Sequence, residues 1–218
     1  MTNELSEIGM PGPIQGTAEK KKGFLYLHGF LSSPASAKCR ELAEAARAAG
    51  FVFVAPDLNL APAKAADLAE AQVRAMESEG LEVTVVGSSL GGFYAGRLAR
   101  RFGLRAVLLN PCLNPWAIVS RETGLRTIYG TDRTLLVEER FADELLALAE
   151  ATPPVPADLT RTLAVISTAD EVLDWKDAYG KLKGAEILLS EGDNHRLERF
   201  AEFIPAILSV ANERHVHH

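Results

Sequence analysis

Val83-Thr84-Val85-Val86-Gly87-Ser88-Ser89-Leu90-Gly91-Gly92 decides how the rest of this chain is read. The four β-branched residues at 83–86 predict a buried strand. Gly87-Ser88-Ser89-Leu90-Gly91 then matches G-x-S-x-G, a sharp strand-to-helix turn with an exposed central serine. Such a turn is tight, so its flanking positions must be nearly free of side chain. Gly92 adds room for close helix packing. Gly91 to Phe102 reads as a helix closed by Gly103. A Gly/Ser-rich loop would explain the bare motif. It would not explain the strand before it and the helix after it.

Working outward, strands and helices alternate. Phe24–Leu27, Phe51–Ala55, Val83–Val86, Ala106–Leu109, Leu163–Ile166 and Ile187–Leu189 are short, continuous apolar runs. Between them lie helical stretches at Ser36–Ala49, Ala63–Glu79, Gly91–Phe102, Asp174–Leu182 and Leu197–Asn212. Continuous apolar strands alternating with helices predict a mostly parallel sheet of about six strands, covered on both faces. Pro11-Gly12-Pro13 and Gly16 break any periodicity at the start, so residues 1–21 read as a flexible tail. The domain is expected over 22–212, with 213–218 as a second tail. Residues 111–160 interrupt the alternation with several prolines and a helical stretch from about Leu136 to Glu150. They read as a lid-like insert.

A serine is a poor nucleophile without an adjacent base. Of the five histidines, His215, His217 and His218 crowd the last four positions and are assigned no role. His28 directly follows the first strand. His195 lies in a polar loop after the sixth strand and can reach the top of the central strand, so it is the expected base. A third member must orient the imidazole and stabilise its charged form. In this turn-bearing architecture the chain order is serine, acid, histidine. Asp170, in the loop after the fifth strand, fits that order. Its rivals are Glu171, which should point elsewhere, Asp174, which looks like a helix N-cap, and Asp193, too close in sequence to His195. Oxyanion donors are expected from the backbone N–H groups of Leu90 and Phe30. His28 should buttress its loop, and His28, Leu31 and Cys112 are the expected substrate-side contacts. Trp116, Trp175 and Cys39 read as packing.

The bulk numbers exclude other classes. Formal net charge is −6, and the basic clusters are short, which argues against a general nucleic-acid surface. Two cysteines, Cys39 and Cys112, make neither a disulfide framework nor a metal motif. No metal or cofactor is expected. The polar start is not a secretory signal, and no apolar run approaches a membrane span, so a cytoplasmic monomer or small homo-oligomer is expected.

The same residues resemble the YqiA-type esterases of the α/β-hydrolase superfamily. Tyr26-Leu27-His28-Gly29-Phe30-Leu31-Ser32-Ser33-Pro34 is similar to that family's opening motif, and Gly87–Gly92 with Phe93-Tyr94-Ala95 to its elbow. Asn110-Pro111, Asp170-Glu171-Val172-Leu173-Asp174 and Gly192–His195 resemble three further blocks. Cys112 stands where a small residue is expected, Leu197 where an aromatic is usual, and 113–160 matches poorly. The resemblance implies an α/β-hydrolase fold, a Ser89–Asp170–His195 triad, and a small-molecule carboxylic ester or acyl thioester as substrate. A non-catalytic binder on the same fold and a carbon–carbon bond hydrolase with the same three residues are the competing readings.

Overall fold

The computed structural model describes residues 20–212. The expected tails fall outside that range, except for Lys20 and Lys21, which are exposed and irregular. In chain order the elements are β1 (Lys22–Leu27), α1 (Ala37–Ala48), β2 (Val52–Val54), α2 (Pro62–Ser78), β3 (Glu82–Ser88), α3 (Leu90–Phe102) and β4 (Arg105–Leu109). The insert follows: α4 (Trp116–Val119), β5 (Gly124–Thr127), β6 (Thr134–Val137) and α5 (Arg140–Ala151). The chain then rejoins the sheet through β7 (Thr162–Ser167), α6 (Trp175–Lys181), β8 (Glu186–Ser190) and α7 (Phe200–Asn212).

Six strands form one sheet in the order β2-β1-β3-β4-β7-β8. Every pairing in it is parallel. Parallel strands are covered on both faces, and the strand residues divide accordingly. Leu25, Leu27, Val83, Val85, Ala106, Leu108, Ala164 and Ile166 pack toward α2, α3 and α6. Phe24, Tyr26, Val86, Val107, Leu109, Leu163 and Val165 pack toward α1 and α7. The chain runs from β1 outward to β2, then returns across β1 to β3. That reversal opens a crevice at the carboxyl ends of β1 and β3, the usual ligand position in open α/β sheets.

The insert is more than a helix. Its expected helical stretch from Leu136 begins instead as a strand. Gly124–Thr127 pairs antiparallel with Thr134–Val137, and Leu125 faces Leu136. Leu136 pairs across the hairpin, so the helix starts only at Arg140. Helix α5 is fixed to the body from below. Arg97, only 4% exposed, donates from Nε to Leu148 O at 3.0 Å and Thr152 O at 3.2 Å, closing the carboxyl end of α5. A Cβ at Gly96 would sit 1.8 Å from Pro154 O, so the chain leaving α5 lies directly on α3. Glu144 also accepts the Ala63 N–H at 3.0 Å, tying α5 to the start of α2.

Arg97→Ala removes charged hydrogen bonds and leaves a void under the insert. It should lower the urea midpoint, with a loss of about 3 kcal/mol, measured by equilibrium unfolding.

Candidate active site

The site is built from the turn at Ser89. Its backbone holds φ 53° and ψ −117°, a region that non-glycine residues rarely occupy. The glycines around it are there for clearance. A Cβ at Gly91 would lie 1.9 Å from Leu27 O, and one at Gly87 would lie 2.2 Å from Gly91 O. The first turn of α3 therefore rests directly on the end of β1. The loop after β1 also lies against the turn, less tightly: a Cβ at Gly29 would lie 3.3 Å from Ser89 Cβ.

Ser89, His195 and Asp170 form one hydrogen-bonded chain. Nδ1 of His195 lies 2.7 Å from Asp170 Oδ2, and Nε2 lies 3.0 Å from Ser89 Oγ. A carboxylate only accepts, so Nδ1 carries the proton. In the neutral ring Nε2 is then left to accept from the Ser89 hydroxyl. The Asp170 side chain is 2% exposed and that of His195 is 16% exposed. The acid is enclosed and the base is open to the cleft.

Asp170 is held by more than the imidazole. Its Oδ1 accepts the N–H groups of Val172 at 2.9 Å and Leu173 at 2.8 Å. Burial pushes its carboxyl up, but the bond from His195 and those N–H groups outweigh burial and hold it below the ordinary range. The loops carrying Asp170 and His195 are stitched together. Ala169 N donates to Asp193 O, and Gly192 N donates to Thr168 Oγ1.

The rival acids have other tasks. Asp174 caps α6 by accepting the Lys176 N–H. Asp193, 7% exposed, accepts from Ser190 Oγ and from the N–H groups of Asn194, Glu198 and Arg199. Burial raises its carboxyl pKa, and these donors more than reverse that. Glu171 does not turn away as expected: its Oε2 accepts the backbone N–H of His195 at 3.0 Å. Lys38 is a further residue with no sequence signal. From the first turn of α1 its Nζ donates to Arg196 O at 2.8 Å, and burial brings its pKa down to about 8, against the pull of Asp193 and Asp170.

Among the described residues, no protein acceptor engages the N–H of Phe30 or Leu90. Those are the two groups expected to face an oxyanion. Beside them lies an open cleft of about 720 Å³, lined by Gly29, Phe30, Lys38, Ser89, Tyr129 and His195 among others. A second pocket, which shares Gly29 and Phe30 with the cleft, is lined by Leu31, Leu90, Tyr94 and, from the insert, Phe141. It retains only about 10 Å³, room for roughly one water.

The three expected substrate contacts do not line the open cleft. His28 is 2% exposed; its Nε2 accepts the Leu58 N–H at 2.8 Å, leaving Nδ1–H to donate to Gly29 O at 2.9 Å. Both ring nitrogens are occupied and the ring is neutral, so His28 holds the loop and presents nothing to the cleft. Cys112 is 4% exposed and lines a separate crevice beside Asp177 and Ala178; burial pushes its thiol up to about 11. Leu31, at φ 54°, turns its side chain into the nearly filled pocket rather than the cleft.

Residues 23–212 match the sequence profile of the uncharacterised protein family UPF0227. This chain belongs to UPF0227. Its fold is shared with Est1E from Butyrivibrio proteoclasticus, at a TM-score of 0.66 and 16% identity over 90% of each chain. Mouse α/β hydrolase domain-containing protein 10 matches at TM-score 0.65 and 16% identity, over 89% of this chain and 92% of that one. A structure from the work on the metagenome-derived lipolytic enzymes LipS and LipT matches at TM-score 0.65 and 18% identity, over 87% and 94%. This UPF0227 chain thus has the α/β-hydrolase fold. Among its described residues no helix is long and apolar enough to cross a membrane.

The Asp193 carboxylate is depressed in the folded state, so its contribution to stability is complete above the ordinary aspartate range. It is lost as pH falls through the lowered value. Asp193→Asn should be less stable than the parent at neutral pH. The gap should narrow toward about pH 3, as read by urea unfolding at both ends.

Proposed function

We propose that this UPF0227 chain is a cytoplasmic serine hydrolase acting on small carboxylic esters or acyl thioesters through an acyl-enzyme. The carrying observation is the unbroken chain from Ser89 Oγ through His195 to Asp170, set on a strained turn beside two unengaged backbone N–H groups. The family membership and the esterase and lipolytic enzymes that share the fold support the same reading.

His195 Nε2 takes the hydroxyl proton as Ser89 Oγ attacks the substrate carbonyl carbon. The carbonyl oxygen becomes an oxyanion facing the N–H groups of Phe30 and Leu90. Asp170 stabilises the imidazolium and fixes its tautomer. His195 then gives the proton to the departing alcohol or thiol, leaving the acyl group on Ser89. Water enters, loses a proton to His195, and releases the acid and free Ser89.

The test is covalent and kinetic. A fluorophosphonate should add one phosphonyl mass to Ser89. Ser89→Ala should lower kcat on p-nitrophenyl butyrate by a factor on the order of 10⁴ with unchanged folding. An unlabelled parent would favour a non-catalytic binder. Near-parental turnover by Ser89→Ala rejects the nucleophile. A labelled protein that leaves esters and thioesters untouched but cleaves a carbon–carbon substrate would reassign the reaction.

A further inference from the structure

Asn110 directly follows β4 and is 4% exposed, with φ 41°. Its carboxamide uses both of its chemical functions. The oxygen Oδ1 accepts the Ser167 N–H at 2.7 Å. The nitrogen Nδ2 donates to Ser167 Oγ at 2.9 Å and to the backbone carbonyl of His195 at 3.1 Å, with Asn194 O at 3.4 Å. Ser167 ends the strand that leads to Asp170. One buried side chain thus grips the stem of the acid loop and the base residue itself.

The backbone around Asn110 grips the nucleophile. Leu109 O accepts the Ser89 N–H at 3.0 Å, and Cys112 N donates to Ser89 O at 3.0 Å. Asn110 N in turn donates to Val165 O on β7. Segment 109–112 therefore holds both backbone groups of Ser89 while its side chain at 110 holds the stations of Asp170 and His195. This one segment thus touches the backbone of Ser89, the stem of the Asp170 loop and the backbone of His195.

We infer that Asn110 is a positioning residue that fixes the distance and angle between His195 and Ser89, touching neither substrate nor reacting atoms. The inference rests on the Ser89–His195–Asp170 reading above. The chemistry explains the residue type. The position needs two N–H donors and one acceptor on a short side chain in a buried site. It also needs a residue that tolerates positive φ, as asparagine does better than most. A donor or acceptor left unmet here would sit in the protein interior, where that is costly.

The experiment compares Asn110→Asp and Asn110→Gly with the parent. Aspartate keeps the acceptor for Ser167 N–H and loses the donors; glycine keeps the backbone conformation and loses the amide. Displacing the base by a fraction of an ångström should lower kcat by about tenfold to a hundredfold, with KM within about twofold. In the free protein, the strongly deshielded proton between His195 Nδ1 and Asp170 should shift or broaden in the NMR spectrum. A merely structural residue would lower the melting temperature and leave both readouts alone. Folded variants with kcat within about twofold of the parent and an unmoved proton resonance overturn the inference. If neither variant folds, Ser167→Ala decides. It removes one anchor of the same amide, and a lowered kcat with a shifted resonance supports the inference, whereas no change in either overturns it. Fluorophosphonate labelling of the parent tests the underlying reading separately, because the proton resonance needs no substrate.

Discussion

The backbone of Ser89 is the constraint on which the rest is arranged. A non-glycine residue at φ 53° and ψ −117° costs of order 1–3 kcal/mol and persists only where its surroundings leave no alternative. Here they do. Its N–H is bound to Leu109 O, and its carbonyl accepts from Gly92 N and Cys112 N. The helix that follows sits on β1 with no space for a Cβ at Gly91. Relaxing the turn would require unpairing β3 from its neighbours or lifting α3 off the sheet. The strain is therefore carried by the central sheet, the most completely buried part of the protein.

With that turn fixed, the other groups need only lie at the same sheet edge. Parallel strands make this automatic, because every strand delivers its following loop to the same end. β1 delivers Gly29 and Phe30, β7 delivers Asp170, and β8 delivers His195. What parallelism does not supply is precision in the loops themselves. Acids supply much of it by accepting backbone N–H groups: enclosed Asp170 from Val172 and Leu173, buried Asp193 from Asn194, Glu198 and Arg199, and exposed Glu171 from His195. The acidic balance of the chain is thus partly a loop-fixing device at this edge.

The sheet, its parallel sense and the meeting of residues 89, 170 and 195 were legible because each rests on local pattern. Apolar runs, glycine stops and the G-x-S-x-G spacing are short-range signals. Residue roles set by distant partners were not legible. His28 reads as a loop buttress from its place after β1, but the partner that takes up its ring, the Leu58 N–H thirty positions on, is not announced nearby. Lys38 and Asn110 act on carbonyls more than eighty residues away, and nothing beside them in sequence announces it. The hairpin in the insert was missed because Thr134-Leu135-Leu136-Val137 runs into a true helix. Its strand character comes only from pairing with Gly124–Thr127.

The two halves of the insert are held to the body by different means. Its helical half is anchored by a buried arginine on two carbonyls, by Glu144 on Ala63 N–H, and by backbone contact at Gly96. Its hairpin half meets the body through Tyr129 N–H on Leu31 O and through the half-exposed pair Arg133–Asp57. Solvent-facing ion pairs contribute at most about 1 kcal/mol. The hairpin leaves Leu125, Tyr129 and Leu136 exposed, but it buries Ile128 and Val137, each 1% exposed, and packs Leu135 against the core. Tyr129 and Gly130 line the cleft beside Ser89. The part of the insert at the cleft is thus the turn of the hairpin, held by a backbone bond and by buried Ile128 and Val137 rather than by the arginine that holds α5.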